Sequence, residues 1–317
     1  RFINELDELL ESFATNFFFS IGSVSSVLSI STFYLLAKNG SFLSSEIRIL
    51  LLILQISAFL NNFHFCILFV PFIYPYLGGG YCNGILCSLG LRFHYGMCFW
   101  LLTVMILSSS FIVLLFARFQ TLLHPLSKLR LRPSKRLAFY IYTFSSMVVI
   151  PILFFFTDTP IEIQEWIINV RMQLDWIADK KVFAVFNGRS IIVLAHFIIY
   201  SMLGNIIVFG TITIILFIVM MHAILTSNVN RMSNHAHSAH RAKVKNSIVV
   251  LSQGVLPLCF EVATIGIGVS PETESIPFSI LNCYLKDSEM VLMSELCTTF
   301  LSPLNSIIFI FGNKQYG

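Results

Sequence analysis

Seven stretches of the chain are apolar over about 20 residues or more, the length a helix needs to cross a hydrocarbon layer roughly 30 Å thick. They lie near residues 14–37, 49–70, 85–117, 137–157, 190–222, 247–269 and 289–312. Strands of a membrane barrel would be about half as long and would alternate apolar with polar positions. These runs do neither. The pattern therefore predicts an all-α fold, one seven-helix membrane bundle occupying 1–317 as a single domain. An odd number of crossings puts the two ends of the chain on opposite sides of the bilayer.

The polar segments between the runs set the orientation. Lys38 and Arg48 flank the first connection, and Arg118, Lys128, Arg130, Arg132, Lys135 and Arg136 fill the third. Arg231, Arg241, Lys243 and Lys245 fill the fifth, and Glu46 is the one acid on this side. Basic residues collect on the cytoplasmic side of membrane proteins. The N-terminus is thus expected outside and the C-terminus in the cytoplasm. The chain starts at Arg1 and stops at Gly317, directly after the last run, and it reads as a fragment of a longer protein. No cleavable signal peptide is visible, and the first run can serve for targeting.

One connection has a pattern of its own. In segment 158–189, Thr159-Pro160-Ile161-Glu162 has the form of a capping box with Pro at the first helical position. Ile163, Trp166, Ile167, Val170, Leu174 and Ile177 then recur at helical spacing. The expected element is an amphipathic helix across the mouth of the bundle, or one resting in the lipid interface. His235, His237 and His240 belong to a polar basic loop with no other ligand type nearby, so a solvated loop is expected there and no metal.

Composition agrees with lipid as the solvent. Charged residues are 11% of the chain and apolar ones 56%, whereas a soluble domain carries about 25% charged residues. The net charge of +4 is too small to point to nucleic acid. No phosphate loop, metal triad or nucleophile elbow is present, so neither an enzyme nor a cofactor is expected.

Ionisable groups inside apolar helices are costly and usually functional. Arg92, Glu261 and Glu295 fall at similar depths below the outer surface in runs three, six and seven. Tyr95 and Phe99 share a stripe with Arg92, and His64, His196 and Tyr200 lie at comparable depth. Three readings stand. Arg92 snorkels to the interface while the acids satisfy each other, the charges form a structural ion pair, or they line a ligand pocket. In the third reading Arg92 pairs with Glu295 and Glu261 meets the ligand. Pro151, Pro257 and Pro303 fall inside runs four, six and seven, where Pro removes a backbone bond and kinks the helix. Arg118 ends run three at the inner side, where it caps carbonyls, marks topology, or meets a cytoplasmic partner. Cys82 and Cys283 are the cysteines outside the helices on the oxidising side, and a bridge between them is expected.

Seven helices, an Arg at the foot of the third and Pro in the sixth and seventh resemble G-protein-coupled receptors. Further motifs are Phe33-Tyr34-Leu35-Leu36, Leu51-Leu52-Ile53-Leu54-Gln55-Ile56 and Pro71-Phe72-Ile73-Tyr74-Pro75. With Gly80-Tyr81-Cys82-Asn83-Gly84-Ile85-Leu86, Gln164-Glu165-Trp166-Ile167 and Pro303-Leu304-Asn305-Ser306-Ile307, they resemble the nematode serpentine chemoreceptors of the Srh and Sri type. The resemblance implies a small-molecule ligand outside and a heterotrimeric G protein inside, facing Arg118, Arg130, Arg132, Lys243 and Lys245. It also implies a multi-pass protein of the plasma membrane, in sensory cilia of neurons. Ala117 stands before Arg118 where many such receptors have an acid, segment 158–189 has no Cys, and Phe260 stands where a Trp is common. A transporter or ligand-gated channel using the buried Arg and Glu is the alternative. Transporters often carry internal repeats, and none is found between the halves.

Overall fold

The lengths of the apolar runs fix the first four crossings. The computed structural model describes residues 2–39, 45–74, 79–122, 130–170 and 182–185, with 211, 215, 218 and 219 as isolated positions. Four helices among these are long and apolar enough to cross a membrane. They are α1 (Phe2–Asn39), α2 (Ser45–Phe63, continued by a π-helical turn His64–Phe69), α4 (Phe93–Leu122) and α5 (Pro133–Phe155). The short α3 (Ile85–Ser88) precedes α4, and α6 (Ile161–Val170) follows α5. The fifth to seventh runs lie almost wholly outside the described residues.

Many hydroxyls within these helices bond to their own backbone, as a medium without water favours. Along α1, the hydroxyls of Ser20, Ser23, Ser26, Ser31 and Thr32 each donate to the carbonyl four residues earlier. Helix α4 is central. Some 67% of its apolar window is buried, against 22% for α5. It packs on α2 through one face and on α5 through another.

At one end, Leu36, Ile47, Leu50 and Leu51 pack on Phe111, Leu114 and Leu115 of α4. This is the basic end. At the other end the chain forms a small sheet that the apolar pattern does not announce. Strands β1 (Pro71–Tyr74) and β2 (Gly79–Cys82) make an antiparallel hairpin, with Pro71 opposite Cys82. Strand β3 (Phe183–Val185), from the segment after α6, pairs antiparallel with β2, Tyr81 opposite Phe183.

The transition from α2 into this hairpin is tight. Val70 has φ 44° and ψ 69° and is fully buried. A β-branched residue there is a genuine outlier. Its amide donates to the Phe65 carbonyl at 2.9 Å, closing the π turn, and Pro71 has no amide with which to continue the helix. The Val70 and Phe69 carbonyls accept from Asn83 and Gly84 at 3.1 and 3.0 Å. Gly84 is required by this approach, because a Cβ would strike the Leu68 backbone.

The third run, expected as one helix over 85–117, is broken. Gly90 takes φ 90°, and the chain resumes helical form only at Phe93. Segment 158–189 does form its helix, but α6 starts at Ile161. The Pro160 carbonyl accepts from Ile163 and Gln164, and the Gln164 side chain donates to the Thr159 carbonyl. Positions 171–181 lie outside the described residues. Pro151 lies inside α5 and is buried.

Candidate functional site

The break at Gly90 moves Arg92 out of the helix. It lies one residue before α4, and its carbonyl accepts the first-turn amides of Tyr95 and Gly96. Among the described residues its partner is Asp158; Glu295, the expected partner, lies outside them. One terminal nitrogen of Arg92 lies 2.9 Å from Oδ2 of Asp158, and the other donates to Oδ1 at 3.5 Å. Asp158 follows the end of α5, so the pair joins two helices where their apolar spans stop. The Arg92 guanidinium also lies 5.6 Å from the centre of the Tyr95 ring, and Tyr95 stacks on Phe155 of α5 at 5.8 Å. Sequence reasoning missed Asp158. The available signal was its position, an acid directly after run four at the level of Arg92.

Tyr95 and Phe99 form the stripe expected from their spacing, but it is an open flank, 37% and 44% exposed. The buried residues of α4 at this depth are Phe93, His94, Leu101 and Val104. Among the described residues the stripe and Arg92 line no closed cavity.

His64 lies deeper, at the start of the π turn. It is 2% exposed. Its Nε2 is 3.0 Å from the Gly96 carbonyl, its ring stacks on Phe69 at 5.4 Å, and Phe99 meets it edge-on at 4.7 Å. Its Nδ1 is buried with no hydrogen-bond partner among the described residues. Gly96 is needed here, because a Cβ would enter the Phe69 ring. One turn away, the Thr103 hydroxyl donates to Asn61 at 3.0 Å, a polar link between α4 and α2.

The disulfide expected between Cys82 and Cys283 is corrected. Cys82 is bonded to Cys87, five residues on. Strand β2 and helix α3 bring the two Cα atoms to 6.0 Å, within the span a bridge can close. The bridge is buried with Phe69, Phe93 and Ala184. It is a local staple of the hairpin end.

At the basic end, Arg118 is buried, 8% exposed, between Ala117 and Phe119. Arg130, Arg132 and Lys135 are exposed. Arg136, from the same basic connection, is turned toward α2 instead. It donates to Glu46 at 2.8 Å, and the Tyr140 hydroxyl donates to the other oxygen of the same carboxylate at 2.8 Å. This clamp joins the first turn of α2 to α5, and sequence reasoning missed it although Glu46 was the lone acid on that side. Gln120 fixes the loop before α5 by accepting from the Leu131 amide at 2.8 Å. Glu261, Glu295, His196, Tyr200, Lys243, Lys245, Pro257, Pro303 and Cys283 lie outside the described residues.

Comparison with known proteins agrees with this architecture. No curated protein matches the chain. Among solved structures, squid rhodopsin is similar with a TM-score of 0.58, at 10% sequence identity, over 97% of this chain and 85% of that one. That likeness is one of fold. The family model described as serpentine type 7TM GPCR chemoreceptor Sri matches residues 6–316. Such proteins are multi-pass membrane receptors and not enzymes. A mostly helical membrane protein with a rhodopsin-like fold, matched from near its first residue to near its last, this chain belongs to the Sri family of serpentine seven-transmembrane chemoreceptors.

Proposed function

We propose that this receptor binds a small extracellular molecule in the hairpin-end half of a seven-helix bundle and signals through a heterotrimeric G protein at the basic end. The family match over residues 6–316 carries the reading. The orientation is N-terminus outside and C-terminus cytoplasmic. Two features support it independently. The Cys82–Cys87 bridge belongs on an oxidising side, and the exposed Arg130, Arg132 and Lys135 belong on the cytoplasmic one. Glu11 of α1 accepts from the Asn83 side chain, so the start of the chain lies at the hairpin end.

With Arg92 engaged by Asp158, the proposed ligand contacts are His64, Glu261, Glu295, His196 and Tyr200. His64 offers a buried nitrogen, and the two carboxylates suit a cationic or hydrogen-bonding ligand. Bends at Pro257 and Pro303 would carry the change to the cytoplasmic face. There Arg118 meets the G protein, flanked by Arg130, Arg132, Lys243 and Lys245. The plasma membrane of sensory cilia is the proposed site of action.

Nucleotide exchange on a co-expressed G protein tests the coupling. Arg118→Ala should lower exchange about tenfold, the loss of roughly 1.4 kcal/mol of coupling, with surface delivery unchanged. Equal exchange in both forms would reduce Arg118 to a packing residue. Asn39-Gly40-Ser41 is a glycosylation sequon that this orientation places in the cytoplasm. Glycan on Asn39 in cells would reverse the topology.

A further inference from the structure

The Arg92–Asp158 pair has properties that a structural staple does not need. It sits where the apolar spans of α4 and α5 both end, at Phe93 and Phe155. That is the level of lipid headgroups. Its side chains are 39% and 24% exposed. Asp158 engages one N–H on each terminal nitrogen of Arg92, which leaves the other donors of a guanidinium fork available. Asp158 likewise keeps acceptor capacity beyond these bonds. Below the pair runs an open apolar flank: Tyr95 and Phe99 on α4, Ile152 and Phe155 on α5, all at least 37% exposed. Tyr95 joins the two helices, stacked on Phe155.

We propose that this flank is a binding site for one zwitterionic phospholipid of the surrounding leaflet. The lipid phosphate takes the outward donors of Arg92, which match a phosphate geometrically. The headgroup ammonium lies against Asp158. The acyl chains cover Tyr95, Phe99, Phe155 and Ile152. Charge complementarity selects the occupant. A neutral pair of fixed charges, one positive and one negative side by side, matches a headgroup that carries both signs. An anionic headgroup would meet Arg92 and be repelled by Asp158. The ion pair remains intact, so nothing buried is stranded on binding. The site is independent of any ligand inside the bundle and of G-protein coupling.

Native mass spectrometry on the detergent-purified receptor tests the proposal, with phosphatidylethanolamine and phosphatidylglycerol of identical acyl chains as probes. One phosphatidylethanolamine should be retained about tenfold more strongly than phosphatidylglycerol, as expected for one charge-assisted bond kept against one opposed. Arg92→Gln and Asp158→Asn should each remove that preference. Equal retention of the two lipids, or an unchanged preference in both variants, overturns it. A second measurement leaves the pair untouched. In Phe155→Trp receptor reconstituted into vesicles, brominated phosphatidylethanolamine should quench the new indole more than brominated phosphatidylglycerol does. Equal quenching overturns the proposal even if the charge variants fail to fold.

Discussion

The two ends of the described bundle are joined by different kinds of bond. At the hairpin end, the connections are largely made by backbone: a β1–β2–β3 ladder, carbonyls of Phe69 and Val70 that accept from Gly84 and Asn83, and a buried Cys82–Cys87 bridge. At the basic end, they are made by side chains: Glu46 with Arg136 and Tyr140, and Gln120 with the Leu131 amide. Backbone ladders hold position whatever the side chains are, and their geometry has little slack. The Glu46–Arg136 clamp holds through charge, with side chains 34% and 21% exposed, where salt and competing partners weaken it. The first arrangement keeps a frame fixed. The second releases a helix at modest cost, which suits the end where the proposed G protein would bind.

The comparison breaks first, if it breaks, at Gly84. Gly84→Val forces a side chain into the Leu68 backbone, where nothing flexible can yield. It should cost about 3 kcal/mol, the upper part of the range for overpacking. Loss of surface delivery and of a cooperative thermal transition would register it. A variant as stable as the parent would show that the hairpin end has the slack denied to it here.

A smaller effect belongs to the disulfide. Cys82→Ser should lower stability by about 2 kcal/mol, because the bridge closes only a short loop. Peptide mapping without reductant should recover Cys82 linked to Cys87, and Cys283→Ser should leave that linkage and the melting temperature alone. A Cys82–Cys283 peptide would restore the bridge across loops.

The smallest change is expected at the clamp. Glu46→Ala should cost about 1 kcal/mol, as for a partly exposed ion pair. A double-mutant cycle of Glu46→Ala with Arg136→Ala should return coupling of that order, falling as salt is raised. Coupling of several kcal/mol, indifferent to salt, would make the basic end as rigid as the other.

The sequence made the four described crossings legible because lipid imposes one rule on every span. A run such as 137–157 needs only length and apolarity to be read, and α5 covers all but its last two residues. The amphipathic start of α6 was legible for the same reason of periodicity. What escaped was set by contacts between distant residues. Strand β3 is three residues long and pairs with a strand about a hundred positions earlier; no local pattern marks it. Gly90 ends one helix and starts another through a positive φ, which an isolated glycine in an apolar run does not reveal. Arg92 reads from the sequence as a charge inside an apolar helix, whereas it stands before α4 with its side chain 39% exposed. Asp158 does not suggest itself as a partner from the sequence, because the break before Phe93 leaves no mark in an apolar run. Cys82 was assigned across loops for want of knowing that β2 turns directly into α3.

Strand β3 has a further meaning for how such a receptor changes over generations. It is fastened to β2 by main-chain groups, at Gly79, Gly80 and Tyr81. Main-chain bonds do not depend on which residues flank them. The segment that reaches β3 from α6 can therefore be rewritten while its far end stays docked on the same frame. Selection for new ligands can then act on that segment without first having to preserve its anchor. Variation among related receptors should concentrate between α6 and β3.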